Sequence, residues 1–503
     1  MQIKVVIGDI VKTEADAIIV NLFEGVEHPG GATDAVDKAL GGAITQLVSK
    51  GEIKGKFKEV NIIHTLGKLP ANKVAVAGLG KQAELTLDKI RGISAEVCRA
   101  LQGLNCKRIA TIMHGAGVGG VDPEASAQAI VEGSLLGLYS FRRHITKKSE
   151  HENIEEMLIV QRDETRLEAI EKGCHKGKII AEATNMARNM VNEPANYMTP
   201  KDMAETAGKM AKDYGLEVTV LEREDMEKLG MGALLGVAQG SREPPKLVVL
   251  SYKGDKSSKS VLGFVGKGIT FDSGGISLKS AEGLEEMKGD MAGGATVMTA
   301  LVAIAQLKPK VNVVAIVPAT ENLPGGGALK PGDILTAMNG KTIEVVTTDA
   351  EGRLILADAL CYARKQGLAP LIDLATLTGS CRVALGDICA GVFSNDQQLA
   401  DKVIKAGSEA GECLWQMPMY EEYKEQNKSE VADIKNSGGR YGGAITAALF
   451  LAEFVEDIPW VHVDIAGTSR SEKERTYTIK GATGFGVRTL VNLALALAEE
   501  KGG

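Results

Sequence analysis

A chain of 503 residues exceeds one ordinary domain, so two are expected, and an apolar fraction of 44% with 24% charged residues belongs to a globular protein with material for large cores. The net charge of −7 gives no electrostatic reason to expect nucleic acid or an anionic membrane as the main partner. Seven scattered cysteines without a C-x-x-C pair support neither a zinc ribbon nor a disulfide framework, and Cys361, Cys381 and Cys389, set in apolar runs, read as buried small side chains.

The chain starts MQIKVVIGDIVKTEADAIIV, which reads as strand, turn and strand. It lacks the basic-then-apolar order of a signal peptide, and no apolar run approaches a membrane span, so a cytoplasmic protein is expected. Strands IKVVIG, ADAIIVNLF, KVAVAGLG, RIATIMHG and MLIVQR alternate with helices such as TLDKIRGISAEVCRALQGL and DPEASAQAIVEGSLLGLYSF. That alternation predicts a sheet covered by helices on both faces. A helix from about Glu164 to Val191 reads as the linker, which places an N-terminal α/β domain at 1–165 and a larger C-terminal α/β domain at 166–503. The later strands, among them LEVTVLE, KLVVLSYKG, SVLGFVGKGITF, VNVVAIVPAT, TIEVVTTD, LIDLATLTG and WVHVDIAGT, are apolar throughout. Such strands suit a mostly parallel central sheet buried on both sides.

Two glycine-rich stretches imitate nucleotide loops. HGAGVGGVDPEA sets Gly115, Gly117 and Gly120 in G-x-G-x-x-G spacing, but no second strand ending in an acid follows, so it reads as a structural turn. GFVGKG lacks the Ser or Thr that a phosphate-binding loop needs after its lysine, because Gly268 stands there.

The chemistry gathers in the second domain. GFVGKGITFDSGGISLK carries Lys267, Asp272 and Lys279, EEMKGDMAGGATVMTAL carries Asp290, and VVTTDAEGRLILADAL carries Asp349, Glu351 and Arg353 at alternating positions. Read as the end of a strand, that alternation points the three charged groups to one side. Four carboxylates at one point cannot all stay ionised without cations, and two divalent metals would balance Asp272, Asp290, Asp349 and Glu351. Beside two dications the Lys267 amine should be neutral and able to serve as a nitrogen ligand. The second domain offers only His175, in the linker helix, and His462. Histidine-rich zinc sites, H-E-x-x-H and Ser-His-Asp catalysis are therefore unsupported, and His462 on its apolar strand reads as a core residue.

NEPANYMTP, GKGITFDSGG, MKGDMAGGA, TTDAEGRLILADAL, IDLATLTG, GGAITAALFL and HVDIAG, in that order, resemble the leucyl aminopeptidase (cytosol aminopeptidase) family across the C-terminal domain. The first third resembles the family's more variable, macro-domain-like N-terminal domain in layout only. The family octet N-T-D-A-E-G-R-L here has Thr347 in place of Asn.

The resemblance implies an aminopeptidase acting on peptides with a free N-terminus. One metal would be held by Lys267, Asp272, Asp290 and Glu351, and a more exchangeable one by Asp272, Glu351 and Asp349. Lys279 would stabilise the oxyanion, and Arg353 would hold a bicarbonate that acts as general base. Met287 and Thr376 would line an apolar pocket favouring Leu or Met, with Met287 as a plain core residue the competing reading. Zinc, manganese and magnesium all suit such ligands, and the family's hexamer is expected here. Two rival readings stand beside this one: a two-metal phosphoryl-transfer site, and a macro-like domain binding ADP-ribose or DNA.

Overall fold

A computed structural model describes residues 1–117 and 119–500. The chain divides into two units, Met1–Glu182 with Lys473–Ile479, and Ala183–Glu472 with Lys480–Gly503, the last three residues lying outside those described. The short return at 473–479 carries no local sequence signal.

The first unit runs β1 (Gln2–Ile7), β2 (Ala17–Phe23), α1 (Gly31–Ala39), α2 (Ala43–Ser49), β3 (Val60–His64), β4 (Lys73–Gly80), α3 (Leu87–Gly103), β5 (Arg108–Thr111), α4 (Pro123–Gly137) and β6 (Glu156–Gln161). Its six-stranded sheet has the order β1-β6-β5-β2-β4-β3, parallel except for the edge strand β3. Alternate residues serve opposite faces. Ile19, Ala75, Ile109 and Ile159 enter the core beneath α3 and α4, whereas Ile18, Val74, Ala110 and Leu158 enter the core beneath α1 and α2.

After the long helix α5 (Leu167–Asn192) come α6 (Pro200–Tyr214), β7 (Glu217–Leu221), α7 (Arg223–Leu229), α8 (Gly232–Ala238), β8 (Lys246–Lys253), β9 (Val261–Gly266) and β10 (Gly268–Asp272). Then follow α9 (Ala292–Leu307), β11 (Asn312–Asn322), β12 (Ile334–Thr336), β13 (Thr342–Glu344), α10 (Glu351–Lys365), β14 (Leu371–Ala375), α11 (Gly379–Leu385), β15 (Cys389–Ser394), α12 (Gln397–Ala410), β16 (Cys413–Gln416), β17 (Ile434–Lys435), α13 (Gly443–Val455) and β18 (Trp460–Asp464). The nine-stranded sheet reads β16-β15-β18-β14-β9-β11-β8-β7, with β10 added to β11. Its centre, β18-β14-β9-β11, is parallel throughout, and β14 and β18 are fully buried, as the unbroken apolar runs predict.

Three expectations need correction. TIEVVTTD is a strand only at β13, in a small separate sheet with β12 and β17, because the chain turns at 345–350 to start α10. Cys389 is only half-buried, beside the exposed Cys413 with which it is in register on the neighbouring strand. The helical stretch Leu284–Leu307 is long and apolar enough by composition to cross a membrane, yet 89% of its most apolar window is buried inside the fold, which makes it a core helix.

His462 is a core residue. Its ring stacks beside Phe393 and Trp460, Nδ1 lies 2.6 Å from Asp373 Oδ1, and Trp460 Nε1 donates to Asp373 Oδ2 at 2.6 Å. Burial disfavours the imidazolium, but the Asp373 carboxylate outweighs it and raises the His462 pKa above its ordinary 6.5. A raised folded pKa gives stability that is complete below the unfolded value and is lost as pH rises through the folded one. Asp373→Asn is therefore expected to cost about 3 kcal/mol near pH 6 and less at an alkaline pH above the raised His462 pKa. Urea unfolding at both pH values measures it; an equal deficit at both would mean the pair is not charged.

Candidate metal centre

Lys267 interrupts the chain between β9 and β10, at the carboxyl end of a central parallel strand, where open α/β sheets place their sites. Its backbone is pinned from both sides: its N–H donates to Leu374 O at 3.0 Å, and its carbonyl accepts from Gly294 N at 2.8 Å. Glycines make that contact possible. A Cβ on Gly293 would stand 2.0 Å from Leu374 O, and one on Gly266 would stand 2.4 Å from Gly293 O. The glycine pair in MAGGA thus lets the first turn of α9 lie against the β9–β10 break and brings Asp290, at the end of the 3₁₀ turn before α9, next to Lys267.

Lys267 Nζ lies 2.7 Å from Asp290 Oδ2 and 2.7 Å from Glu351 Oε1, and donates to Thr376 O at 3.1 Å. One oxygen from each of Asp272, Asp290 and Glu351, all buried, falls within 4.8 Å of the others. Asp272, ending β10, accepts at Oδ1 from Asn322 Nδ2 at 2.8 Å and from Gly274 N at 2.9 Å. Lys279 Nζ lies 2.8 Å from Asp272 Oδ2 and also pairs with Asp349, which stands outside the close trio and is more exposed. Thr376 Oγ1 donates to Asp290 Oδ1 at 2.7 Å.

Asp349, Glu351 and Arg353 do converge on one cavity, though not by strand alternation. Asp349 sits in the turn, Glu351 is the first residue of α10, and Arg353 is two places further into the helix. An acid in a first helical turn is favoured by the helix dipole, which is the local reason for Glu351 at that position. Arg353 is buried, donates from Nη1 to Asn436 O at 2.7 Å, and leaves Nε buried without a hydrogen-bond partner. Thr347 Oγ1 accepts from Asp349 N at 3.3 Å, a two-residue side-chain turn that an asparagine makes equally well. Thr347→Asn should accordingly change kcat/KM little and stability by less than about 0.5 kcal/mol; a tenfold change in turnover would show that the side chain does more than close this turn.

The electrostatics are those of a site short of positive charge. Burial, reinforced by Glu351, lifts Asp272 to about 6, and burial also raises Asp290 well above its usual range. Burial raises Asp349 as well. Glu351 alone is lowered, because Lys267 and Lys279 outweigh its burial. Burial opposes the charge of Lys267, but Asp290, Glu351 and Asp272 together hold it protonated. The neutral amine expected from the sequence presupposes divalent ions beside it. Burial lowers Arg353 to about 10, which leaves it a cation.

The residues fit a divalent cation. Glu351 Oε2 is buried without a hydrogen-bond partner while its twin holds Lys267. A buried carboxylate oxygen in that state is costly unless a cation meets it. The cavity, of about 620 Å³, is lined by Lys267, Asp272, Lys279, Asp290, Asp349, Glu351 and Arg353, with the half-buried Met287 and Thr376 among the remaining wall. Met287 is thus cavity wall and not core. Sequence reasoning missed Asn322, which orients Asp272, and Asn436, which holds both Arg353 and the loop at 346–347. It also missed the anchoring role of Asp464, which accepts from Leu377 N and Thr378 Oγ1. Each of the three lies outside the acidic motif and is joined to it only through the fold.

A carboxylate-and-lysine cluster at the strand ends of a parallel α/β sheet defines a metal-dependent enzyme. Comparison with known proteins specifies which. The family model described as "Cytosol aminopeptidase family, catalytic domain" matches residues 185–491, and its N-terminal counterpart matches 19–148. The "Probable cytosol aminopeptidase" of Alkaliphilus oremlandii is 46% identical over 99% of this chain and 100% of its own length. That of Solibacter usitatus is 48% identical over 98% and 99%. Among solved structures, a tomato leucine aminopeptidase mutant superposes with a TM-score of 0.87 at 34% identity, covering 99% of this chain and 96% of its own. The "Bottromycin maturation enzyme BotP in complex with Mn" gives 0.85 at 33%, covering 96% and 100%. The chain belongs to the cytosol aminopeptidase family and is a metal-dependent aminopeptidase, a hydrolase acting on peptides.

Proposed function

We propose that this aminopeptidase releases N-terminal residues of the Leu and Met type, with broad tolerance, by means of two divalent ions. Lys267, Asp272, Asp290 and Glu351 would hold one ion, and Asp272, Glu351 and Asp349 the other. The observation that carries this reading is the Glu351 oxygen left buried and unpaired among carboxylates already crowded within 4.8 Å. Such ions would acidify a shared water, polarise the scissile carbonyl and receive the substrate's free α-amine.

The chain's own residues supply the rest. Thr376 and Asn322 fix the Asp290 and Asp272 carboxylates so that no reorganisation is needed as charge develops. Lys279, protonated because its carboxylate neighbours outweigh its burial, would leave Asp349 and place its positive charge on the oxyanion of the tetrahedral state. Arg353, with Nε unpaired at the cavity, would hold a bicarbonate, which would supply a general base there. No neutral histidine lines the cavity to do that work. Met287 gives the wall a polarisable apolar surface that adapts to unbranched and branched side chains. We further propose zinc, manganese or magnesium as the ions, a cytoplasmic hexamer, and a division of labour between residues 1–165 and a catalytic domain at 166–503. Manganese is supported by its presence in the BotP relative.

Leucine-p-nitroanilide tests the core of this reading. Metal-stripped protein should be inactive, Mn²⁺ or Zn²⁺ should restore turnover, and the N-acetylated substrate should resist cleavage under every condition. Equal cleavage of the blocked substrate would overturn the role given to the free amine.

A further inference from the structure

Five of the seven cysteines are buried, as small apolar side chains usually are. Cys389 and Cys413 are the exceptions, and they meet. Strands β15 and β16 are joined by α12 and pair in parallel, with Cys389 opposite Cys413, Ala390 opposite Leu414 and Gly391 opposite Trp415. Residues in register on such neighbouring strands point to the same face. Leu414 turns toward α12, where a Cβ on Gly407 would stand 2.6 Å from its Cδ1, so the two cysteines face the other way. That corner is open. β16 is the last strand of the nine-stranded sheet, and Trp415, on the same face as Cys413, is 64% exposed.

Geometry and chemistry suit a bond between them. Adjacent strands lie about 4.7–4.9 Å apart, inside the roughly 4.4–6.8 Å between Cα atoms that a disulfide spans. Cys389 is held protonated, its pKa pushed up to about 12 by burial and by a hydrogen bond with the Cys413 thiol. Exposure divides the work between the two sulfurs. Cys413 is the one that an oxidant reaches, and the half-buried Cys389 is the one that resolves the oxidised product. An edge strand pairs on one side only, so β16 adjusts to bring the sulfurs together without disturbing a second ladder. Cys381, which packs beside Gly391, is buried and donates from Sγ to Asp464 O at 3.8 Å, and it stays outside the pair.

We infer that Cys389 and Cys413 form a modification site, a dithiol that a hydroperoxide converts to a disulfide. Cys413 Sγ attacks a peroxide oxygen, the O–O bond breaks, and the displaced oxygen leaves with the thiol proton as water or alcohol, which makes Cys413 a sulfenic acid. Cys389 Sγ then attacks Cys413 Sγ, the S–O bond breaks, and hydroxide leaves with the Cys389 proton as water. Two thiols give up two electrons and one peroxide takes them. The bond closes the β15–α12–β16 crossover into a covalent ring, which restricts the unfolded chain and fastens the edge strand to the sheet.

Hydrogen peroxide added to the full-length, Zn²⁺-loaded protein tests this, zinc being redox-inert. The thiols open to alkylation after unfolding should fall from seven to five. Peptide mapping should find Cys389 joined to Cys413 within one chain, and dithiothreitol should reverse both changes. Oxidation should raise Tm by about 3 °C or more. Cys413→Ser and Cys389→Ser should each form no bridge and show no rise. Seven thiols remaining after peroxide, a bridge between chains, a pairing that includes Cys381, or single cysteines oxidised to sulfinic acid without a bridge would overturn the site. A Cys389–Cys413 bond with unchanged Tm would overturn the fastening of β16.

Discussion

Glu351→Gln is expected to lower kcat/KM for leucine-p-nitroanilide roughly 10³-fold or more, because Lewis-acid stabilisation by a bound ion is worth several kcal/mol. Glutamine keeps the volume and the N-terminal helical position but removes the negative charge and one of two acceptor oxygens. In the present geometry Oε1 holds Lys267 at 2.7 Å and Oε2 is the buried oxygen without a partner. The amide would turn its NH₂ toward one of these places, and neither accepts a donor: one holds an ammonium, the other is where a cation fits. Metal content measured by mass spectrometry should fall with activity, while the fold persists, since α10 stays buried along its length. A variant that keeps full metal content and full activity would mean that Glu351 only anchors Lys267.

Gly352→Ala adds one methyl group and is expected to weaken metal binding about 10- to 100-fold, with activity falling in step. A Cβ there would stand 2.5 Å from Lys267 Cε and 2.6 Å from its Nζ. A lysine tip usually swings away from such a clash at little cost. This one is held at Asp290, Glu351 and Thr376 O at once and lies 3% exposed, so it has nowhere to go without breaking those contacts. The glycine of the D-A-E-G-R-L stretch thus belongs to the lysine and not to the turn, since its φ is ordinary. Titrating Mn²⁺ into stripped protein gives the affinity directly. Unchanged affinity with lost activity would place the methyl group's effect on substrate instead.

The identities of the chemical groups were legible in the sequence because they break a pattern. Apolar strands covered on both faces leave no ordinary reason for Lys267 or Asp272 at their ends, so a polar residue there signals a site. Glycine pairs beside them signal close backbone approach, which Gly293 against Leu374 O bears out. Thr347 in place of asparagine was visible but silent: only the 3.3 Å contact to Asp349 N shows that threonine can make the same turn.

The strand reading of Asp349, Glu351 and Arg353 failed for an instructive reason. Alternation in sequence is compatible with an extended strand end and with a turn entering a helix, and here the turn and the first turn of α10 bring all three residues to one cavity. Local pattern could not choose between them. Tertiary packing did: α10 starts at Glu351 and is buried along almost its whole length in the core of the second unit.

By itself, then, the sequence determined which residues carry charge, which strands are buried on both faces and which glycines permit close approach, since each of these is encoded in side-chain type and short-range period. Tertiary structure alone decided that Asp272, Asp290 and Glu351 form the tight trio while Asp349 stands apart with Lys279. It alone recruited Asn322, Asn436 and Asp464. Convergence of that kind depends on strand order and on which loops share a sheet edge, properties of contacts between residues far apart in the chain that no local window of sequence contains.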